Sequence, residues 1–248
     1  MSEAGSPKGS GRLSREAHPH DLSPTDLRAH VGRITRRLER AFGVPRRSVR
    51  RNPLDVLIET ILSQNTNDRN RDQAYQTLKK RFPRWDDVLC SKEREVVQAI
   101  RTGGLAKQKT KRIREILRWI KRGYGELTLS ALEGTDSETI KEVLGGLKGI
   151  GPKTIHCLLL FGLGREAFPV DTHVLRTGKR LGVIPKRMNA EKAHVWMGPL
   201  VPEGKSLSLH VNLIRLGRSL CLANRPRCAD CFLVKECLFP GDPRGIQP

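Results

Sequence analysis

The sequence has little aromatic character. Phe, Trp and Tyr together make up 4% of its 248 residues. Long β-branched runs are missing, and period-two alternation of apolar and polar residues is nearly absent, which argues against a sheet-based fold because a half-buried strand needs that alternation. No apolar stretch approaches the ~20 residues that span a bilayer, so no membrane partner is expected. No Gly-rich loop of the P-loop or dinucleotide type occurs, so nothing points to ATP or NAD. There is no internal repeat, and the polar, Gly/Ser/Pro-containing start does not read as a secretory signal. Glu3 and Glu16, without an amphipathic arginine pattern, speak against a transit peptide.

Positive charge is plentiful. Lys and Arg total 46 against 26 Asp and Glu, a formal charge of +20. Self-repulsion of that size is relieved by a polyanion, and nucleic acid is the first candidate. With 37% apolar and 29% charged residues the composition is that of a globular chain, long enough for one large or two small domains. Six cysteines, in a chain expected in a reducing compartment, favour metal over disulfides.

Helical periodicity dominates. Leu27, Val31, Ile34 and Leu38 share one face, after Ser23-Pro24 (an N-cap and a first-turn proline) and before Gly43. The basic segment 46–51 precedes Asn52-Pro53, which opens a second helix with Leu54, Leu57, Ile58 and Ile61 inward. Val96, Val97 and Ile100 mark another helix, and Ile113, Ile116, Leu117 and Ile120 a further one. The reading is an all-α chain of roughly ten helices, with residues 1–22 as a disordered basic tail.

Two segments carry chemistry. In 147–159, Gly149 and Gly151 bracket Ile150, which can plug into a core, and both glycines permit positive φ and close backbone approach. Pro152 then starts a helix whose free N–H groups and dipole suit a phosphate. Such a contact positions DNA without reading bases. Downstream, Phe168-Pro169-Val170-Asp171-Thr172-His173 opens another helix. Taken singly, Lys153 reads as a solvated lysine, Asp171 as an N-cap, and His173 as either a DNA contact or a helix-end residue. Cys221, Cys228, Cys231 and Cys237 are separated by six, two and five residues. Four thiolates so placed can wrap one metal centre, and spacing alone leaves zinc and iron–sulfur open. Cys90 and Cys157 read as buried apolar residues.

Gly149-Ile150-Gly151-Pro152-Lys153-Thr154 resembles the helix-hairpin-helix motif of the endonuclease III family. Val170-Asp171-Thr172-His173 resembles that family's Val-Asp-Thr-His segment, and the 18-residue separation of Lys153 and Asp171 matches its spacing. The cysteine pattern, with Leu216-Gly217-Arg218 before it and Arg225-Pro226-Arg227 within it, resembles the family's cluster loop. The resemblance covers about residues 25–240. It implies that Lys153 is a nucleophile, Asp171 its carboxylate partner and the cofactor a 4Fe–4S cluster; nothing near the cysteines suggests redox turnover, so the cluster is expected to be structural. A lysine serves as nucleophile when it can shed its proton and attack the sugar C1′, while a carboxylate stabilises the cation-like centre as the base leaves.

A glycosylase must extrude its target nucleotide and fill the gap. Leu62-Ser63-Gln64-Asn65-Thr66-Asn67-Asp68 resembles the family segment whose Gln meets the orphaned base. Asn65 falls at that position and Gln64 one residue early, which leaves the lesion open. Residues 100–105 resemble the wedge loop, with Leu105 as the wedge, although a core leucine is the plain alternative. Lys148, Gly149, Gly151, Thr154, Gln64, Asn65, Leu105, His173, Arg218, Arg225 and Arg227 are the expected DNA contacts. By the family fold, residues 54–165 form a six-helix barrel, and 25–53 with 166–240 form the cluster domain. The expectation is a monomeric bifunctional DNA glycosylase/AP lyase that removes oxidised pyrimidines from double-stranded DNA by β-elimination. It would act in the cytoplasm with the nucleoid, or in a nucleus or organelle. The alternatives are a monofunctional mismatch or uracil/thymine glycosylase and a non-catalytic DNA-binding iron–sulfur protein.

Overall fold

The computed structural model describes residues 23–46 and 51–239, so the expected tail over 1–22 lies outside the described residues. Among the described residues there are eleven α-helices and no strand. In chain order they are α1 (Pro24–Phe42), α2 (Pro53–Leu62), α3 (Asp68–Arg81), α4 (Trp85–Cys90), α5 (Glu93–Ala99), α6 (Ala106–Tyr124), α7 (Ser137–Gly145), α8 (Pro152–Cys157), α9 (Thr172–Arg180), α10 (Ala190–Met197) and α11 (Ser206–Ser219). None is long and apolar enough to cross a membrane.

The helix starts follow local chemistry. Ser23 accepts from the Asp26 N–H and Asn52 from the Leu54 and Asp55 N–H groups, each with proline in the next turn. Asn67, Asp136, Asp171 and Asn189 cap α3, α7, α9 and α10 in the same way. Each such cap is worth about 1 kcal/mol. Gly43 takes φ +76° as α1 stops.

The apolar faces gather into two cores. One is built by α2 to α8, from Leu54 through Leu78, Val96, Leu117 and Leu144 to Leu159. The other joins α1 (Leu27, Val31, Ile34, Leu38) to residues between Phe168 and Leu233. The chain therefore leaves the second core after α1, builds the first, and returns. Inside the second core, His30 of α1 bonds the Leu181 carbonyl at 2.9 Å, and burial lowers this imidazole's pKa. Each fully buried Leu or Ile contributes about 1.5–3 kcal/mol. The crossover runs through α8, whose end widens into a π-helical turn at Leu158–Gly162, a rare geometry that is frequent at functional sites.

Candidate active site

A cleft of about 1320 Å³ lies where the two cores meet. Its walls include Ser63 to Arg69 from the α2–α3 turn; Lys153, Cys157 and Phe161 from α8 and its π turn; Asp171 and His173 from the start of α9; and His210, Ile214 and Arg218 from α11. The structure thus brings Lys153 and Asp171 to one cavity, although they lie on different helices.

Lys153 is half-buried, and its Nζ donates to Ser63 Oγ at 3.3 Å. Cys157 sits one turn further along α8; burial pushes its thiol up to about 11, so it stays protonated at neutral pH. Asp171 Oδ1 accepts from the Val174 N–H at 2.7 Å. The residue is therefore an N-cap as well as a cleft carboxylate. His210 Nδ1 bonds the Pro169 carbonyl at 2.8 Å, and burial lowers its pKa to about 4. Being neutral, the ring donates from Nδ1 and leaves Nε2 as an acceptor. Sequence reasoning missed His210; its only signal was a histidine on the apolar face of α11.

The two hairpin glycines are used differently, and Thr154 departs from expectation. Gly149 takes φ +86°, and an added Cβ would lie 1.8 Å from Arg112 Nε, so only glycine fits. Gly151 is extended at φ −98°, so the positive φ that both glycines permit is used at Gly149 alone. An added Cβ at Gly151 would meet nothing within 4 Å, which leaves room for a ligand. Ile150 plugs into the first core and Lys148 is exposed. Thr154 is 3% exposed and its N–H bonds the Gly151 carbonyl at 2.9 Å, so its side chain is packed inward and is not presented to a ligand.

The two expected insertion turns stand side by side. Asn65 and Leu105 have φ +51° and +50°, and both are exposed. Leu105 is 51% exposed, so the core-leucine alternative fails. A Cβ on Gly104 would lie 4.0 Å from the Asn65 carbonyl. Gln64 lines the cleft and is held in a network: its Nε2 donates to the Gly149 carbonyl at 3.3 Å, and its Oε1 accepts from Arg112 Nη1.

The basic residues are partly engaged. Arg218 pairs with Asp68 at 2.5 Å, joining α11 to α3 across the cleft. Burial would raise the Asp68 carboxyl, but Arg218 and Arg71 more than offset this and hold it below its ordinary value. His173 Nδ1 accepts from Arg176 Nη2 at 3.1 Å, which leaves any ring proton on Nε2. Arg225 is exposed at φ +51°. Arg227 pairs with Asp230 on the cysteine loop at 2.9 Å, and neither Arg225 nor Arg227 lines the cleft.

Cys221, Cys231 and Cys237 pack at the edge of the second core, and Cys228 is half-buried. Burial raises the thiols of Cys228, Cys231 and Cys237, the last to about 11, and their proximity to one another and to Cys221 adds to it. Among the described residues, no three or more His, Cys, Asp or Glu side chains converge as ligands of a metal ion. The loop is organised by Arg180, which donates to Cys221 Sγ and to the Leu222 and Ala223 carbonyls, while the Arg180 carbonyl accepts from the Cys237 thiol. Arg176 adds bonds to the Cys221 and Gly217 carbonyls. The helix that Asp171 starts therefore ends by holding the cysteine loop.

Residues 58–197 match the HhH-GPD superfamily of base excision DNA repair proteins. A protein of Arabidopsis thaliana that bears a provisional DNA glycosylase name is 40% identical over 190 residues; the match covers 73% of this chain but 65% of that protein, just under two thirds of its length. Endonuclease III of Thermotoga maritima is 31% identical over 209 residues, covering 84% of this chain and 92% of that one. A solved non-covalent endonuclease III–DNA complex aligns with a TM-score of 0.71 at 24% identity, over 87% of this chain and 95% of that one. The all-α helix-hairpin-helix fold expected from the motifs is the fold of this chain.

Proposed function

The chain belongs to the HhH-GPD superfamily of base excision DNA repair proteins, and on that premise we propose that it is a bifunctional DNA glycosylase/AP lyase for oxidised pyrimidines in double-stranded DNA. The observation that carries this reading is the joint presence of Lys153 and Asp171 in one cleft. A protein that only binds DNA needs neither.

The chemistry follows from these groups. The unprotonated Lys153 amine forms a bond to C1′ as the C1′–N bond breaks, and the base leaves with that electron pair and takes up a proton. The Asp171 carboxylate lowers the energy of the cation-like C1′ centre. The alkylated nitrogen loses a proton, and the lone pair so freed expels the ring oxygen, which takes up a proton as a protonated Schiff base forms. Loss of a C2′ proton eliminates the 3′-phosphate, and water releases Lys153 from the remaining aldehyde. His210, which lines the cleft and stays neutral because burial holds its pKa near 4, offers Nε2 as a hydrogen-bond acceptor there. Lys148 and the hairpin backbone, with His173 and Arg218, would hold phosphates, whose contacts fix register.

We further read residues 54–165 as the barrel domain and 25–53 with 166–240 as the cluster domain; the two separate cores support this division. The four cysteines would hold a 4Fe–4S cluster, whose chemistry here is to cross-link the loop. What supports iron–sulfur over a single zinc, which would need four thiolates at ~2.3 Å, is the six-two-five spacing and its resemblance to the family's cluster loop. Visible thiolate-to-iron absorption with matching iron and sulfide content is expected, and stoichiometric zinc would overturn the assignment.

The experiment for the function is a panel of duplexes, each with one lesion, scored separately for base release and strand nicking. Release and nicking together on oxidised pyrimidines are expected. Release without nicking would make the enzyme monofunctional, and binding without release would make it a non-catalytic DNA-binding protein.

A further inference from the structure

Lys109 is a lysine buried inside a core. It is 1% exposed, and its Nζ donates at 2.7 Å to two main-chain carbonyls, those of Leu62 and Gly103. Among the described residues no carboxylate pairs with it. Burial lowers its pKa, and Arg112 lowers it further.

A buried ammonium without a counter-ion is a poor stabilising device, since an apolar side chain of similar volume often serves as well or better. The two acceptors give it another purpose. Leu62 ends α2, and its carbonyl is one of the C-terminal groups left free by the helix. Gly103 ends the 3₁₀ turn Arg101–Gly103. Three residues beyond the first carbonyl and two beyond the second lie two exposed left-handed residues, Asn65 and Leu105. A left-handed backbone costs a non-glycine residue about 1–2 kcal/mol and persists only where its surroundings hold it. Lys109 is the group that ties the bases of both turns together. One helical turn later, Arg112 bonds Gln64 and lies across Gly149.

We propose that Lys109 is a positioning residue that clamps the Asn65 and Leu105 turns into one rigid double wedge, so that both enter the DNA stack in fixed register when the damaged nucleotide is extruded. This rests on the glycosylase reading above and adds the residue that sets the geometry of lesion extrusion. Lys109 touches no substrate itself; it acts through Leu105 and Asn65.

The test compares two substrates. A lesion in a duplex requires the wedge; an abasic sugar in a single-stranded oligonucleotide does not, because there is no stack to open. Because a misplacement of ~1 Å can lower a rate about 10²-fold, Lys109→Met should slow single-turnover excision from the duplex about ten- to hundredfold. Borohydride trapping on the single-stranded abasic oligonucleotide should fall far less, so the ratio of duplex to single-strand activity drops. In a Leu105→Ala background the Lys109→Met change should add little, because both remove the same wedge. Lys109→Arg, which keeps the donors, should restore most of the ratio. If the methionine variant does not fold, Lys109→Gln is held to the same split. Equal duplex activity, a parallel loss on both substrates, or additivity with Leu105→Ala would overturn the proposal. Absence of trapping by the unaltered protein would instead sink the lyase reading, and the wedge would then be judged on base release alone.

Discussion

Replacing Asp171 by asparagine and by alanine separates two roles held by one carboxylate. As an N-cap it accepts the Val174 N–H at 2.7 Å. Asparagine caps as well as aspartate, whereas alanine forfeits about 1 kcal/mol, which lowers the Tm of a chain this size by about 2–4 °C. As a cleft anion it would oppose the positive charge developing at C1′. Removing one preorganised electrostatic partner of a transition state lowers kcat about 10²–10³-fold, or about 2.7–4 kcal/mol. Asp171→Asn should therefore melt with the unaltered protein yet lose base release by that factor. Asp171→Ala should lose both. Differential scanning fluorimetry with single-turnover excision reads the two quantities independently. Full excision by Asp171→Asn would refute the electrostatic role, and a Tm for asparagine as low as for alanine would refute the capping argument.

The Asp68–Arg218 pair is 41% and 49% exposed at its side chains, so it should contribute only about 0–1 kcal/mol to stability. Asp68→Asn frees Arg218 for phosphate, and duplex binding should tighten with a salt slope steeper by about 0.9; an unchanged slope in anisotropy titrations would show that Arg218 does not reach DNA. The buried imidazoles set an acid limit. Burial lowers His156 and His210 to about 4, against 6.5 when unfolded. The folded state then binds fewer protons, so the stability they lend is complete above pH 6.5 and is lost as pH falls towards 4. Urea midpoints should drop across that window, and His156→Leu should flatten the drop; a midpoint independent of pH there would contradict the assignment.

Much of the frame was legible because local chemistry wrote it. Ser23-Pro24 and Asn52-Pro53 cap and start α1 and α2 as read, and the hairpin with its downstream Val-Asp-Thr-His segment pointed to one family. What stayed hidden depends on three-dimensional surroundings. Lys109 stands among Lys107, Lys111, Arg112 and Arg114 and looks like part of a solvated face. Its signal was its place four residues before Ile113, on the same apolar stripe. Arg176 and Arg180 likewise read as surface cations, although their spacing puts both on the side of α9 that meets the cysteine loop. Thr154 follows the nucleophile in the motif, yet the helix turns it inward. Gly151 needs no positive φ in the free protein, because what its missing Cβ leaves is room.

The central claim is that Lys153 is the covalent nucleophile in a cleft shared with Asp171. Borohydride reduction during turnover on a lesion duplex, followed by denaturing electrophoresis and peptide mapping, tests it most directly. The account predicts a protein–DNA adduct attached at Lys153 that disappears in Lys153→Ala. An adduct that persists in that variant, or one mapped to another residue, would contradict it.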